Sequence, residues 1–381
     1  MTQPWRVTKD SLQIDKMPFY WRLSPAPSSF PGISQHLPIN LVSDEQFDYL
    51  KLDVASDDWG VINAAYHQDE NIGFLNPNSG QMETYGASVN NFFLDLIQKT
   101  KPSRIFEIGC GAGYSIQFLK KHGFLVTGID PSEYSRKWSE RLGFDLINEF
   151  FCDSLAIERA NLIYCNDVFE HIRDVSRFSR EVFEYLDEDG VFCIATTNST
   201  RSIALGDISM LEHQHVNMFT ERSIRLILRN AGFSDVDIRS GSYGSTFHIV
   251  ARKTNFINVE KEREGILNCL DYFDKSAQNI ESFGRYYSAD GPLNCYVPLR
   301  CIPYLSTVGD FGSTPVYDSN IFWREKFIDG YEKSILNITD LSHSKNDRFF
   351  VGSITFYEEI QKSLVARGIP SSSICSIESL L

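Results

Sequence analysis

Residues 106–114 constrain this chain more than any other stretch, because they combine an apolar run with three closely spaced glycines (FEIGCGAGY). Residues 104–108 are predicted to form a buried strand, and residues 113–122 have the apolar spacing of a helix. The turn between them contains Gly109, Gly111 and Gly113. Glycine adopts positive φ angles and, lacking Cβ, lets a ligand approach the backbone closely. The stretch therefore predicts a ligand-binding turn at the edge of a parallel sheet.

The residues around this turn indicate which cofactor it binds. A dinucleotide fingerprint requires glycine or alanine at the sixth position, but Tyr114 stands there and Glu107 precedes the first glycine. Residues 125–129 (LVTGI) predict a second strand that ends at Asp130, where a carboxylate can accept hydrogen bonds from both ribose hydroxyls. Together these features favour S-adenosylmethionine. The alternative is an ordinary βαβ unit in which Asp130 only caps the next helix.

The pattern of strands and helices predicts the architecture. Strands alternate with helices from residue 96 to residue 253, as in a Rossmann-like doubly wound α/β sheet, and a second, weaker alternation follows residue 291. We divide the chain into an N-terminal extension or lid (1–95), a methyltransferase-type domain (96–253), a helical connector (254–284) and a small C-terminal α/β domain (285–381).

Composition limits the function classes. The chain has 381 residues, 42% of them hydrophobic, which is enough for packed cores. Its net charge of -14 disfavours nucleic acid and anionic membranes as partners, so a small-molecule substrate is expected. No segment has the apolar core of a signal peptide or the roughly 20 apolar residues of a membrane span, which favours a cytoplasmic protein. The eight cysteines lack a CxxC pair and are expected to be free thiols. The oligomeric state stays open.

Further cofactor contacts are expected after the third and fourth strands. The rings of Phe150 and Phe151 are candidates for the purine face, with Asp153 accepting from its amine, although both rings could equally be core residues. Asn166 follows the fourth strand, where open α/β sheets bind their ligands, and is expected to face the methionine end of the cofactor.

Three histidines are candidates for catalysis: His171, His213 and His215. Histidine can act as a general base near neutral pH, and we prefer His215. Satisfied structural histidines are the alternative. Asp167, Glu170 and His171 form a D-x-x-E-H set, but adjacent side chains on a helix diverge, so we assign no metal site.

Several segments resemble a known superfamily. The segments FEIGCGAG, GIDPS, NDVFEHIRD, HQHVNMFT and NAGF look like those of the class I S-adenosylmethionine-dependent methyltransferases. Within that superfamily, the EFF turn, the NDVFEHI strand end and the small C-terminal domain resemble deoxysugar C-methyltransferases. The resemblance implies methyl transfer to a sugar, most simply a nucleotide-linked one.

The chain also departs from that sugar family. The family carries an N-terminal cysteine-ligated zinc module, but this chain has no cysteine before Cys110. Glu212 and Gln214 stand where the family has tyrosine and glutamate, which weakens the case for carbanion chemistry. The histidines are kept, so proton removal from a hydroxyl stays open. We therefore expect an enzyme that methylates oxygen or carbon of a sugar. Methylation of a nonsugar metabolite at oxygen or nitrogen, and a non-catalytic adaptor that binds the cofactor, remain alternatives.

Overall fold

The computed structural model describes residues 3–19, 23–26, 35–68, 80–152, 154–241, 245–254, 269–342 and 346–380. The N-terminal elements are β1 (Trp5–Val7), β2 (Ser11–Pro18), β3 (Leu23–Ser24), β4 (His36–Asp44), β5 (Tyr49–Leu52) and α1 (Ser56–Gln68). The central elements are α2 (Gly80–Thr100), β6 (Ile105–Ile108), α3 (Tyr114–Lys121), β7 (Thr127–Ile129), α4 (Glu133–Leu142), β8 (Leu146–Ile147), β9 (Ala160–Asn166), a 3-10 helix (Phe169–His171), α5 (Val175–Tyr185), β10 (Leu186–Thr197), α6 (Thr200–Leu205), β11 (Asn217–Met218), α7 (Glu221–Asn230), β12 (Asp235–Ser240) and β13 (Thr246–Arg252).

The C-terminal elements complete the chain. They are α8 (Cys269–Tyr287), β14 (Leu293–Tyr296), α9 (Pro298–Thr307), β15 (Val316–Asp318), β16 (Phe327–Ile328), β17 (Leu336–Asn337), a 3-10 helix (Ile338–Asp340), β18 (Arg348–Val351), α10 (Tyr357–Ala366), a 3-10 helix (Ser371–Ser373), β19 (Ile374–Cys375) and α11 (Ile377–Leu380). No helix in the described ranges is long and apolar enough to cross a bilayer.

A seven-stranded sheet in the order β12-β13-β10-β9-β6-β7-β8 forms the centre of the molecule. Its strands are parallel except β13, which pairs antiparallel with β10 and β12. Apolar clusters cover both faces, one of them including α2 and α3 and the other α5 and α7. Strands buried on both faces read as continuous apolar runs, which is why β6 and β9 were recognisable. The predicted doubly wound α/β sheet is confirmed.

Three details of the central region differ from the sequence prediction. Strand β12 was missed, because it is a partly exposed edge strand in which charged residues alternate with apolar ones. Strand β7 begins at Thr127 rather than at Leu125, whose side chain is 82% exposed. Helix α2 continues through residue 95, and its Val89, Phe93 and Ile97 pack in the same cluster as β9.

The N-terminal residues form a sheet in the order β1-β2-β4-β5-β11, in which all neighbours are antiparallel. The sequence showed no clean alternation here, and the structure indicates a reason: the register of β2 against β4 shifts between Ile14 and Met17. A shift of this kind interrupts the two-residue period on which strand prediction depends. The fifth strand, β11, comes from the central region, so this sheet continues into that part of the chain.

The C-terminal region contains a parallel sheet in the order β17-β15-β14-β18-β19. This confirms the predicted second, smaller α/β unit. One apolar cluster joins it to the N-terminal sheet and to the segment around Leu211, so all three regions share a core. Helix α8 reinforces this junction, since Asn279 donates to the carbonyls of Leu205 and Gly206 at 2.8 Å each, at the end of α6.

Gly206 offers a test of this junction. Its φ is +67°, and a Cβ there would lie 2.7 Å from the backbone of both Lys275 and Ser276 in α8. Gly143 has φ +64°, but a Cβ added to it would meet no atom within 4 Å. We expect Gly206→Ala to lower stability by about 1–3 kcal/mol more than Gly143→Ala, because both substitutions strain the backbone but only the first forces α8 to move. Thermal unfolding midpoints measure this; equal losses would contradict the close packing of α6 on α8.

Candidate active site

The glycine turn lies between β6 and α3, as the sequence predicted. Gly109, Gly111 and Gly113 have φ angles of +70°, +49° and +69°, so each adopts the conformation that favours glycine. A Cβ on Gly109 would lie 2.4 Å from Cγ2 of Val168, and one on Gly113 would lie 2.4 Å from the ring of Phe144. The turn therefore needs glycine for its backbone angles and for its close packing.

Asp130 holds the turn in place from the end of β7. It is 4% exposed, and its Oδ2 accepts the N–H of Gly111 at 2.9 Å. Its Oδ1 accepts the backbone N–H of Ser132 at 2.9 Å and the hydroxyl of Ser132 at 2.6 Å. A carboxylate oxygen can accept two hydrogen bonds, so Oδ2 retains capacity for a ligand hydroxyl.

Glu107 lies beneath the turn. It is 3% exposed, and its Oε2 accepts the hydroxyl of Tyr164 at 2.9 Å. Burial raises the pKa of Glu107 to about 8, against the lowering effect of that hydrogen bond, and the charge of Asp130 adds to the increase. Glu107 thus supports the turn from the core.

Of the three residues expected to contact adenine, one packs against the core, one is exposed and one lies outside the described residues. Phe151 is partly buried and packs edge-on against Phe178 and Tyr185 at the side of a core cluster, which is close to the alternative that the sequence left open. Phe150 is 49% exposed and remains accessible to a ligand. Asp153 lies outside the described residues.

A polar cluster begins where β9 ends. Asp167 has φ +50°, an unusual angle for a non-glycine residue, and its Oδ1 accepts the hydroxyl of Tyr85 at 2.6 Å. Asn166 donates to Asp167 Oδ2 at 3.0 Å. Burial raises the pKa of Asp167, although the hydrogen bond from Tyr85 opposes the shift. Strained backbone angles are common at functional sites, and this one aims a carboxylate at the sheet edge.

Two histidines from distant parts of the chain meet beside this carboxylate. The ring centroids of His171 and His215 are 4.8 Å apart. Nδ1 of His171 lies 2.7 Å from the carbonyl oxygen of Gln214 and donates to it in the tautomer that carries the proton on Nδ1. Nδ1 of His215 lies 2.5 Å from Oε1 of Glu212. The ring of Tyr66, from α1, lies edge-on to His171 at 6.0 Å.

The pKa values of the two imidazoles shift in opposite directions. Burial, and then the charge of His215, lower the pKa of His171 to about 3. Burial also acts to lower the pKa of His215, but the charge and hydrogen bond of Glu212 outweigh it and raise that pKa. Burial acts to raise the pKa of Glu212, yet His215 brings it down to about 2. Glu212 and His215 thus form an ion pair beside a neutral His171.

Glu170 is the most buried member of the cluster. It is fully buried, and its Oε2 accepts the hydroxyl of Thr196 at 2.8 Å. Burial, and then the charge of Asp167, raise the pKa of Glu170 to about 7. Donor atoms of Glu170, His171 and His215 lie within 4.8 Å of one another. The expectation that the adjacent side chains of Glu170 and His171 diverge was therefore wrong, because these residues lie in a short 3-10 helix that directs both towards His215.

His213 lies outside this cluster. Its Nε2 is 3.2 Å from the carbonyl of Leu37, and its ring packs edge-on against Phe19 in the N-terminal region. Burial lowers its pKa to about 4. The geometry thus argues against His213 as a catalytic residue, because the turn at residues 213–214 directs His213 and His215 in opposite directions.

Sequence reasoning missed three contributors to the cluster. Glu212 was noted only as a replacement for tyrosine, but it orients His215. Thr196 ends a long apolar strand and offered no separate signal. Arg300, in the first turn of α9, donates to the carbonyl of Ser209 at 3.3 Å, and its positive charge helps to lower the pKa of Glu212 after that of His215. Its role depends on domain packing that the sequence does not display.

Comparison with known proteins agrees with this geometry. A family model described as a methyltransferase domain matches residues 81–238, which include α2, the glycine turn and the polar cluster. Residues 81–238 thus match a methyltransferase domain, over less than half of the chain. The match begins in α2, and the regions before residue 81 and after residue 238 lie outside it.

Curated relatives that match part of this region are named ubiquinone biosynthesis O-methyltransferase. The protein from Actinobacillus pleuropneumoniae serotype 5b (strain L20) is 29% identical over 128 residues, which cover 29% of this chain and 55% of the relative. The protein from Coxiella burnetii (strain RSA 493 / Nine Mile phase I) is 26% identical over 107 residues, which cover 26% of this chain and 45% of the relative. The chain thus spans about half the length of the curated relatives it matches.

Similar solved structures include two methyltransferases. The magnesium protoporphyrin IX methyltransferase from Synechocystis PCC 6803 has a TM-score of 0.40 at 16% identity, covering 51% of this chain and 100% of that chain. An S-adenosylmethionine-dependent methyltransferase from Clostridium acetobutylicum ATCC 824 has a TM-score of 0.35 at 13% identity, covering 44% and 91%.

The raised pKa of Glu107 predicts a pH-dependent stability. A carboxyl group with a folded-state pKa of about 8 contributes stability that is present below its unfolded pKa and is lost as pH rises towards 8. The free energy of unfolding of Glu107→Gln should therefore increase relative to that of the native chain between pH 5.5 and 7.5, by up to about 1.4 kcal/mol per pH unit. Denaturant titrations at both pH values measure this difference, and a constant difference would show that Glu107 is ionised in the folded state.

Proposed function

We propose that this chain is an S-adenosylmethionine-dependent methyltransferase that acts on a hydroxyl group of a small molecule. The observation that carries the proposal is the contact between the glycine turn and the polar cluster: Val168, the residue after Asp167, packs against Gly109. A cofactor on the turn and an acceptor at the cluster would meet at the carboxyl edge of the sheet, where open α/β folds bind ligands.

The turn and its neighbours account for cofactor binding. Gly109 and Gly111 allow the methionine and ribose portions to approach the backbone, and the spare capacity of Asp130 Oδ2 accepts from a ribose hydroxyl. Asn166 faces the methionine end. Phe150, the exposed aromatic residue after β8, covers one face of the adenine.

The reaction is an in-line displacement. The acceptor oxygen bonds to the methyl carbon as the sulfur–carbon bond breaks, and S-adenosylhomocysteine leaves as a neutral thioether. The acceptor proton is removed within the cluster that contains His171, His215 and Glu170. Holding the acceptor and the sulfonium together supplies much of the rate, up to about 7–11 kcal/mol in favourable cases.

A sugar, most simply a nucleotide-linked one, is the first acceptor class that we propose. Support comes from the small parallel α/β unit, which resembles that of sugar methyltransferases, and from Arg300, which brings a cation from that unit towards Glu212 and His215. A guanidinium suits a phosphate-bearing acceptor. Oxygen is favoured over carbon because Glu212 replaces the tyrosine of the C-methylating family and pairs with His215.

A nonsugar hydroxyl acceptor is the second candidate. It is favoured by the curated relatives, which are named ubiquinone biosynthesis O-methyltransferases. Both candidates share the same cofactor and the same transfer to oxygen, so a panel of acceptors of both classes separates them.

Cofactor binding is testable through Asp130. Asp130→Asn should weaken S-adenosylhomocysteine binding tenfold or more, because a hydrogen bond to a charged group contributes about 1.5–3 kcal/mol. Asp145→Asn, an exposed carboxylate beside the same sheet, should leave the affinity unchanged. Isothermal titration calorimetry with both variants decides the point, and equal affinities would remove Asp130 from the ribose site.

Methyl transfer is testable with a labelled cofactor. The chain is incubated with S-adenosylmethionine carrying a ¹³C-methyl group and a panel of nucleotide sugars, including 4-keto forms, and of nonsugar phenols and catechols. We expect an O-methyl resonance, and a kcat lower by about 10² to 10⁴ for His215→Asn with unchanged cofactor affinity. His122→Asn, an exposed histidine at the end of α3, should retain full activity. A C-methyl product, or no loss in His215→Asn, would contradict the assignment.

A further inference from the structure

Glu170, His171 and His215, here termed the donor triad, have the composition of a metal-ligand set. Each offers one ligand atom, and these atoms all lie within 4.8 Å of one another. Donors about 2.0–2.2 Å from a common tetrahedral ion lie roughly 3.4 Å apart, so small side-chain movements would close the set around an ion. Two imidazoles and one carboxylate form a common catalytic zinc ligand set.

Glu170 supplies an oxygen that the protein itself does not satisfy. Oε2 accepts from Thr196, but the buried Oε1 has no hydrogen-bond partner among the described residues. A buried carboxylate oxygen without a partner is costly, so such atoms call for a ligand, ion or water. Oε1 belongs to a side chain with no solvent exposure at all.

The two imidazoles are already oriented for ligation. Nδ1 of His171 is engaged by the carbonyl of Gln214, and Nδ1 of His215 by Glu212. Nε2 of His171 is therefore left for a ligand, and Nε2 of His215, protonated in the ion pair with Glu212, would release its proton when an ion binds. Metal-binding histidines usually have their other nitrogen held by a carbonyl or a carboxylate, which fixes the tautomer and the direction of the ring.

The charges around the donor triad also favour a cation. Glu170 and Glu212 are buried, and the partly buried Asp167 lies three residues before Glu170. Coulombic attraction strengthens in a buried site, and a dication would offset the mutual repulsion of these groups. Both imidazoles are only partly buried, so one side of the triad remains open to a substrate.

We propose that Glu170 Oε1, His171 Nε2 and His215 Nε2 bind one divalent transition-metal ion, with Zn²⁺ the best match. Imidazole nitrogens favour Zn²⁺ over Mg²⁺, which prefers an all-oxygen shell. Three protein ligands leave the fourth position of a tetrahedral ion for water or substrate, as in catalytic rather than structural sites. This reverses the expectation of no metal that the sequence alone produced.

The role of the ion rests on the proposed function: it would convert the acceptor hydroxyl into a better nucleophile. An ion held by Glu170, His171 and His215 would lower the pKa of the acceptor's hydroxyl, so that this group would lose its proton to solvent and become an alkoxide. The alkoxide then attacks the methyl carbon, and S-adenosylhomocysteine leaves. In this role His215 is a ligand and not the general base, because the single lone pair on Nε2 cannot both bind the ion and accept a proton.

Metal binding is measured without any acceptor. The full-length chain, stripped with a chelator, is titrated calorimetrically with Zn²⁺, Mn²⁺ and Mg²⁺, and Co²⁺ binding is followed by its visible absorption bands. We expect one ion per chain, with Zn²⁺ bound most tightly and Mg²⁺ least. His171→Asn, His215→Asn and Glu170→Gln should each weaken Zn²⁺ binding at least tenfold and abolish the Co²⁺ bands.

The controls separate ligation from folding. His248→Asn removes another partly buried histidine, which stacks on Phe92 at 4.3 Å away from the triad, and should bind Zn²⁺ normally. Glu212→Gln leaves all three donors in place and should weaken binding about 10- to 100-fold by releasing His215. Every variant is also titrated with S-adenosylhomocysteine, and unchanged affinity for it shows that the domain is folded.

Two outcomes would overturn the metal site: a native chain that binds none of the three ions, or folded His171→Asn and His215→Asn variants that retain native Zn²⁺ affinity. Loss of S-adenosylhomocysteine binding by the native chain would instead overturn the proposed function and leave the metal titration intact. Methyl transfer that persists in chelator, together with Zn²⁺ binding, would overturn the catalytic role of the ion.

Discussion

The buried segment at residues 207–218 is the constraint on which the rest of the structure depends, because it is anchored to helix α9 at its start and to the N-terminal sheet at its end. At its start Asp207, which is fully buried, accepts the hydroxyl of Tyr304 at 2.9 Å and that of Ser209 at 2.6 Å. At its end β11 pairs with β5 and extends the N-terminal sheet. A buried carboxylate is tolerated only with such donors, so the path of this segment requires all three regions to be folded.

The candidate active site follows from that path. The segment brings Glu212 and His215 against the end of β9, where Gln214 fixes the His171 ring through its carbonyl. From the other side, Val168 packs on the glycine turn that we assign to the cofactor. Since interiors are close-packed, these contacts leave little freedom between the turn and the cluster. The arrangement combines a closely packed glycine turn with a cluster of carboxylates and imidazoles.

Local patterns in the sequence were sufficient for the central sheet and for the position of the glycine turn. Continuous apolar runs identified the buried parallel strands, and the spacing of the glycines placed the turn between β6 and α3. Asp130 was found because a carboxylate at the end of the second strand lies next to that turn in any sheet of this order. The pattern was weaker for β12, an edge strand, and for the N-terminal sheet, where the register shift in β2 interrupts the two-residue period.

The sequence by itself thus determined the doubly wound α/β sheet of the central region and its glycine turn, because both depend on contacts between residues close together in the chain. Only the tertiary structure decided which histidine reaches the site: His215 meets His171, whereas His213 turns towards Leu37. It also decided that Glu170 converges with both imidazoles. These outcomes depend on how three sheets pack around one buried segment, and contacts between distant residues leave no periodic trace in the sequence.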